Sequence, residues 1–335
     1  MEYIDYTVTK DDEGKRIDKI LKKILTSKEI NVYEIIRKKL CKINNLKCSE
    51  TFRVKENDII SIAGFIVEKN KEAAGATYKT DNNKNLIQEK FRELEVLFED
   101  DNLLIINKPK NINVQPAKKN EIALSSIIKE KFQNSSLSFT CAPLHRLDKF
   151  TTGILVFSKS LNGARWFSSV LKEHKLTKIY VGLAEGHLEK KVLWENNIIK
   201  NETNNSNPNN FKTVSISKGT VNETEEKAIT EATPLCYGKY KGKETTLIQY
   251  KIITGKKHQI RFQSSFNGFP LYGDTAYGGT KYKEKNKSFF LHSIYLQLPE
   301  NKEFEMPQKI YCKIPREFEE FLQLNLINWN GKLIL

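Results

Sequence analysis

The sequence predicts an α+β protein: one large domain on a mixed, largely antiparallel sheet, preceded by a small α/β unit. Three observations predict it. Apolar residues at helical spacing cluster near the N-terminus. Strand-like runs with few helical patterns between them fill the second half of the chain. Between the two lies a polar stretch of small residues, Ala73-Ala74-Gly75-Ala76 and then Asp81-Asn82-Asn83-Lys84-Asn85, with the composition of a flexible linker. The expected boundaries are 1–65 for the small unit, 66–90 for the linker and 91–335 for the large domain.

Taking the elements in order, Ile17, Ile20, Leu21, Ile24 and Leu25 recur at i, i+3, i+4, i+7 and i+8, one apolar helix face. A second helix is predicted over Val32 to Leu40, with Arg37-Lys38-Lys39 as a basic end. Cys41 to Lys47 reads as a hairpin turning at Asn44-Asn45, because asparagine tolerates the positive φ such a turn needs. Glu56-Asn57-Asp58 makes another turn before a strand from Ile59 to Ile62. A unit of about fifty residues is too small to hold a deep active site. In the large domain, strands are predicted over Leu94 to Phe98, Leu103 to Asn107, Lys178 to Ala184, Thr213 to Ser217, Thr246 to Ile253 and Phe289 to Gln297. Ala164, Trp166, Phe167, Val170 and Leu171 mark a helix, and the patch from Asn201 to Asn210 reads as an elongated hairpin tip.

Charge narrows the class of partner. The 55 Lys and Arg residues outnumber 41 acidic ones, for a net charge of +14. A composition biased towards Lys, Asn and Ile accounts for part of this, but not for its clustering. Between Lys15 and Asp58 stand 13 basic and 6 acidic residues, which puts half the net charge in a short segment. Such a surface attracts phosphate backbones. The five cysteines are scattered, with no C-x-x-C pair, as suits reduced thiols and neither a disulfide framework nor a zinc site. The polar Met1-Glu2-Tyr3-Ile4-Asp5 is unlike a signal peptide, and no apolar run approaches the roughly 20 residues that span a bilayer. A cytoplasmic monomer away from membranes is the expectation.

The stretch richest in chemistry runs from Pro143 to Lys159: a polar loop holding His145, Arg146 and Asp148 that passes through Gly153 into an apolar strand. A turn at the start of a rigid strand is a good place to present an ionisable side chain. On composition alone, a surface turn with a chance Arg–Asp pair fits equally well. The segment resembles the H-R-L-D-x-x-T-S-G signature of the RluA-type RNA pseudouridine synthases, with Thr152 in place of the usual serine. The resemblance covers most of the chain. Asn107-Lys108-Pro109-Lys110-Asn111 is similar to the family's K-P-x-G turn, with Asn111 for glycine, and Lys178-Ile179-Tyr180 to K-x-Y. Thr254 to Arg261 resembles T-G-R-T-H-Q-I-R, with Lys256 and Lys257 for Arg and Thr, and Gly268 to Asp274 resembles G-x-P-x-x-G-D. Gly14-Lys15-Arg16-Ile17-Asp18, the basic second helix and Lys55 to Ile60 resemble an S4-type RNA-binding domain, a common companion in that family.

The resemblance implies a pseudouridine synthase fold and an isomerase acting on RNA, with Asp148 as catalytic carboxylate, Arg261 as its cationic partner and Tyr180 stacked on the target base. Ile260 is expected at the pocket wall and Arg146 in the space left by the flipped nucleotide. His145, Thr151, Thr152 and Lys108 complete the substrate site, and Arg16, Arg37, Lys38 and Lys39 the RNA-binding surface. Uridine isomerisation transfers no electron and no external group, so neither cofactor nor metal is expected. A carboxylate that reacts in a water-excluding pocket must be ionised there; burial opposes this and a fixed cation offsets it. Large-subunit ribosomal RNA is the implied substrate, with transfer RNA or small-subunit RNA as alternatives. An RNA-binding assembly factor without catalysis is a further class, disfavoured by the joint presence of Asp148, Tyr180 and Arg261. A DNA-binding regulator would need a reader helix or dimer zipper, and the sequence has neither.

Overall fold

The computed structural model describes residues 1–73, 89–118, 121–132, 136–200, 214–216, 225–282, 288–301 and 304–335. Its N-terminal unit is a four-stranded sheet with helices packed on it. The strands are β1 (Tyr3–Thr7), β2 (Cys41–Ile43), β3 (Leu46–Lys47) and β4 (Ile59–Ala63), in the order β1-β4-β2-β3. Helix α1 (Ile17–Ile24) turns Ile17, Ile20 and Leu21 fully into the core, as the periodicity requires. Helix α2 (Val32–Arg37) ends earlier than predicted, because Lys39 adopts a left-handed φ of 60° and turns the chain into β2. Asn44 and Asn45, at φ 50° and 64°, make the β2–β3 turn, and Asn57 sits at 70° in the turn before β4.

Helix α3 (Gly64–Ala73) corrects the expected linker. Its first turn buries Ile66 and Val67 against the N-terminal core, so residues 66–73 belong to an ordered helix. The remainder of the expected linker, to 88, lies outside the described residues, as does the patch from Asn201 to Asn210.

The large domain carries β5 (Glu95–Glu99), β6 (Leu103–Lys108), β7 (Ala142–Pro143), β8 (Thr152–Ser158), β9 (Thr177–Glu185), β10 (Val192–Lys200), β11 (Val214–Ile216), β12 (Glu225–Tyr240), β13 (Lys243–Ile252), β14 (Leu291–Gln297) and β15 (Lys309–Tyr311). They form one sheet in the order β11-β10-β12-β13-β9-β14-β8-β6-β5, with β15 on β14 and β7 on β8. Among the described residues every strand pairing is antiparallel except β14 with β8, so the sheet is mixed and mostly antiparallel. Helices α4 (Leu124–Lys131), α5 (Leu161–Lys172), α6 (Gln259–Phe266) and α7 (Arg316–Leu324) pack on it. No helix among the described residues is long and apolar enough to cross a membrane.

Period-2 alternation sorts β9 between two cores. Ile179, Val181 and Leu183 face the cluster built with Phe318, Phe321 and Leu322 of α7, whereas Tyr180 and Ala184 face the opposite cluster with Tyr250 and Leu155. That alternation fixes which side of the sheet Tyr180 serves.

The parallel contact between β8 and β14 is close. His292 pairs with Thr152 and Ser293 with Gly153. Gly153 has φ 104°, and a Cβ there would lie 2.2 Å from the Ser293 carbonyl oxygen. Only glycine meets both conditions. Gly153→Ala should therefore lower stability by about 3 kcal/mol or more, read as a fall in the urea midpoint. A variant melting like the wild type would show that the β8–β14 contact is looser than it looks.

Candidate active site

The Asp148 loop leaves β7 and re-enters the sheet at β8. It is closed on itself by the Thr151 amide, which donates to the Asp148 carbonyl at 3.1 Å. Beneath it lies Lys108, at the end of β6, with no exposed surface. Its ammonium donates to the carbonyls of Pro109 (2.9 Å), Lys149 (3.1 Å) and Thr151 (2.8 Å). Burial pulls its pKa down to about 7, with Asp148 opposing. Expected as a substrate contact, Lys108 is instead a pin under the loop: its three donors are spent on backbone. Thr152 is also corrected. Its hydroxyl bonds the His292 Nδ1 at 2.8 Å, because neighbouring strand residues point to opposite faces and Thr151 holds the cleft side.

Arg261 arrives from the first turn of α6, a helix that periodicity could not show because Gln259 to Ser264 are all buried. Two glutamines seat it. Gln259 donates to the Ile229 carbonyl (3.0 Å) and to Thr230 Oγ1 (2.8 Å), and its Oε1 accepts from the Lys256 amide (2.9 Å). Gln263 accepts from Thr230 (2.7 Å) and donates to the carbonyls of Trp194 and Ala228, both at 3.1 Å.

The guanidinium joins two carboxylates. Asp274 takes the fork, from Nε at 2.6 Å and Nη2 at 2.9 Å, and Asp148 Oδ2 takes Nη1 at 3.0 Å. The rings of Tyr277 and Phe289 lie 4.9 and 4.5 Å from the guanidinium carbon. Burial disfavours the charge on Arg261, but the hydrogen bonds and charges of Asp274 and then Asp148 outweigh it and hold the pKa above the usual arginine value. Asp274, Tyr277 and Phe289 carried no predicted role. Asp274 closes the G-x-P-x-x-G-D motif and is legible there; the two rings carry no sequence signal.

Around this pair the neutral groups are defined. Burial pushes the Tyr180 phenol up to about 12, with a hydrogen bond to Ser293 opposing and Asp148 reinforcing. Burial pulls His258 down to about 4 although Asp148 acts against it; its Nε2 is 3.7 Å from Asp148 Oδ1 and its Nδ1 is 2.9 Å from the Tyr277 hydroxyl. His145, pulled down to about 3 by burial, accepts the Val156 amide on Nε2 at 3.2 Å and supports the loop.

Two cavities meet at the carboxylate. One of about 240 Å³ is lined by Tyr180, Ile260, Thr151, His145 and Lys178; the other, of about 580 Å³, by Val114, Phe150, Ser288 and Phe289. Arg146, Asp148, Lys257, His258 and Arg261 border both. Asp148, Tyr180, Arg261, Ile260, Arg146, His145 and Thr151 are therefore brought together. On the N-terminal unit, Arg37 and Lys39 border a groove of about 710 Å³ with Lys47. There the Lys39 ammonium contacts Lys47 and lowers its pKa. Lys38 pairs with Glu34 at 2.6 Å, and Arg16 binds Asp18 through both Nε and Nη2 at 3.1 Å.

Comparison with known proteins agrees with this architecture. Residues 102–266 match the family model for RNA pseudouridylate synthase. The human RNA pseudouridylate synthase domain containing 1 and domain containing 4 proteins share the fold, with TM-scores of 0.55 and 0.54 at 22% and 20% identity, over 72% and 73% of this chain and 91% and 97% of theirs. The chain belongs to the RNA pseudouridylate synthase family, and its substrate class is RNA. It is an RNA pseudouridine synthase, an isomerase. Among its relatives is a ribosomal large subunit pseudouridine synthase C of Vibrio parahaemolyticus, 28% identical over 92% of this chain and 89% of that protein. The protein of that name from Rickettsia typhi is 28% identical over 88% and 93%. An uncharacterized RNA pseudouridine synthase of Mycoplasma capricolum is 26% identical over 87% and 90%.

Asp274→Asn keeps the shape of the side chain but removes the charge that fixes the fork. With Asp148 left as counter-ion, the loss should be about 1.5–3 kcal/mol, as for a hydrogen bond to a charged group. Turnover should fall in fully folded enzyme as well, because Arg261 loses its fixed plane. Unchanged turnover would mean that Asp148 alone orients the guanidinium.

Proposed function

We propose that the protein converts uridine to pseudouridine in large-subunit ribosomal RNA, with Asp148 as its catalytic carboxylate. The observation that carries this reading is the Arg261 guanidinium, oriented by Asp274 and aimed at Asp148 where two cavities meet. In the isomerisation the N1–C1′ bond breaks, the ring turns, and a C5–C1′ bond forms; the C5 proton is lost and N1 gains one. Asp148 serves as the anionic partner, either by covalent attack or by assisting departure of the base. Arg261 keeps it oriented in a site that excludes water. The everted base leaves its stack at a cost of a few kcal/mol. Tyr180 and Ile260 line the cavity that receives it, and Arg146 stands at the mouth to fill the vacated place. With a pKa pushed to about 12, Tyr180 acts as a stacking and donating phenol and not as a base.

The choice of large-subunit RNA rests on the relatives named for that substrate, which align over most of the chain. The N-terminal unit is read as an S4-like RNA-binding module whose grip comes from Arg37 and Lys39, joined by Lys47, with Arg16 and Lys38 as outer contacts.

Asp148→Asn is isosteric and should reduce turnover by about 10⁴-fold or more while RNA affinity stays close to wild type. Normal turnover would refute the mechanism. Mapping pseudouridines in ribosomal and transfer RNA from cells lacking the protein tests the substrate: sites should vanish from large-subunit RNA, and losses confined to transfer RNA would overturn the assignment. Deleting residues 1–73 should weaken binding and flatten its salt dependence. An unchanged slope would remove the RNA-binding role of that unit.

A further inference from the structure

Outside the cleft, Asp12 is a carboxylate with no exposed surface. Within its own unit it accepts from Thr9, at 2.7 Å from Oγ1 and 3.3 Å from the amide. Its other donors belong to the large domain: Ser136 Oγ at 2.9 Å, the amides of Leu137 and Ser138, both at 3.0 Å, and the Ser138 hydroxyl. Burial opposes the charge, and these donors outweigh it, holding the carboxyl below its ordinary range. Lys15 donates to Ser138 Oγ at 2.7 Å beside it, and Leu137 packs against the N-terminal core. Asp11 accepts the Leu161 amide at 3.1 Å, at the first residue of α5, where a helix start favours a negative group.

Both docking points flank one piece of chain. Residues 136–138 lead into β7 and the Asp148 loop, and Leu161 follows β8, onto which that loop runs. We propose that Asp12 is a positioning residue: it locks the N-terminal unit onto the segment that carries Asp148, so that the groove at Arg37, Lys39 and Lys47 and the catalytic cleft hold one RNA at a fixed separation. This rests on the reading of that unit as an RNA-binding module. A loosely tethered module raises local concentration but sets no distance between its grip and the reacting uridine. A locked one selects RNAs whose phosphates stand at the right offset from the target.

The test uses the full-length protein altered on the large-domain side, leaving the N-terminal fold and the cleft untouched: Leu137→Asp, and Ser136→Ala combined with Ser138→Ala. Small-angle scattering without RNA reads docking. Steady-state kinetics are run on a large-subunit ribosomal RNA transcript and on a short stem-loop around the mapped uridine. The variants should be more extended than wild type. Their KM on the transcript should rise about ten- to a hundredfold, the advantage lost when two linked contacts no longer act at a set distance. Their kcat should stay within about twofold, and KM on the stem-loop should not move. Asp12→Cys paired with Ser138→Cys, oxidised to a disulfide, should restore compactness and KM together. Scattering that stays compact in the variants, or KM shifting equally on both RNAs, overturns the proposal. An unaltered KM after deletion of 1–73 would instead remove the RNA-binding reading on which it rests, a result separable from a failure to undock.

Discussion

The arrangement of the cleft depends on one guanidinium shared unequally between two carboxylates. Asp274 occupies the fork of Arg261 and sets its plane, leaving a single N–H for Asp148. The unequal split is what makes the pair usable. A carboxylate gripped on both oxygens would be a structural ion pair, whereas Asp148 is held through Oδ2 and keeps Oδ1 on the cavity side near His258. Lysine could not substitute, since a point charge has no fork to divide and no plane to sandwich between Tyr277 and Phe289.

The rest of the large domain delivers these groups to one place. Adjacent strands β8, β14 and β9 supply the end of the Asp148 loop, Ser293 and Tyr180. The separations are set by backbone contacts that side chains cannot relax, above all Gly153 against Ser293. Lys108 performs the same service from below, tying together the carbonyls of Pro109, Lys149 and Thr151. On the far side, Gln259 and Gln263 bind α6 to β12, so that the helix bearing Arg261 cannot slide along the sheet.

What was legible in the sequence followed from local rules. The apolar stripe from Ile17, the Asn44-Asn45 turn and the left-handed position of Asn111, at φ 65°, are dictated within a few residues. The loop from His145 to Gly153 was legible through its resemblance to a known family. What escaped was either non-periodic or non-local. The first six residues of helix α6 are all buried, so it leaves no amphipathic trace. Tyr277 and Phe289 reach Arg261 only through tertiary folding, and Lys108 was misplaced because a lysine in a motif reads as a contact for an anion until its burial is known. The linker was drawn too early because Ile66 and Val67 belong to a core that closes through Val8, Ile17 and Ile60.

The proton states of His258 and Tyr180 bear on the role proposed for Asp148. His258 stands 3.7 Å from Asp148; if it were charged, it would compete with Arg261 for the carboxylate and turn it out of line. Burial holds its pKa near 4, so over the neutral range it is an uncharged ring whose orientation is set by Tyr277. Tyr180, pushed to about 12, likewise keeps its proton. Neither neighbour adds charge beside the carboxylate, and the hydrogen bond that orients Asp148 comes from Arg261. A group poised in this way is suited to meet the positive charge that would develop at the sugar when a base departs, because Arg261 engages Oδ2 while the uncharged His258 stands near Oδ1. The same neutrality makes the cavity lined by Tyr180 and Ile260 hospitable to an uncharged uracil ring, as the proposed reaction requires.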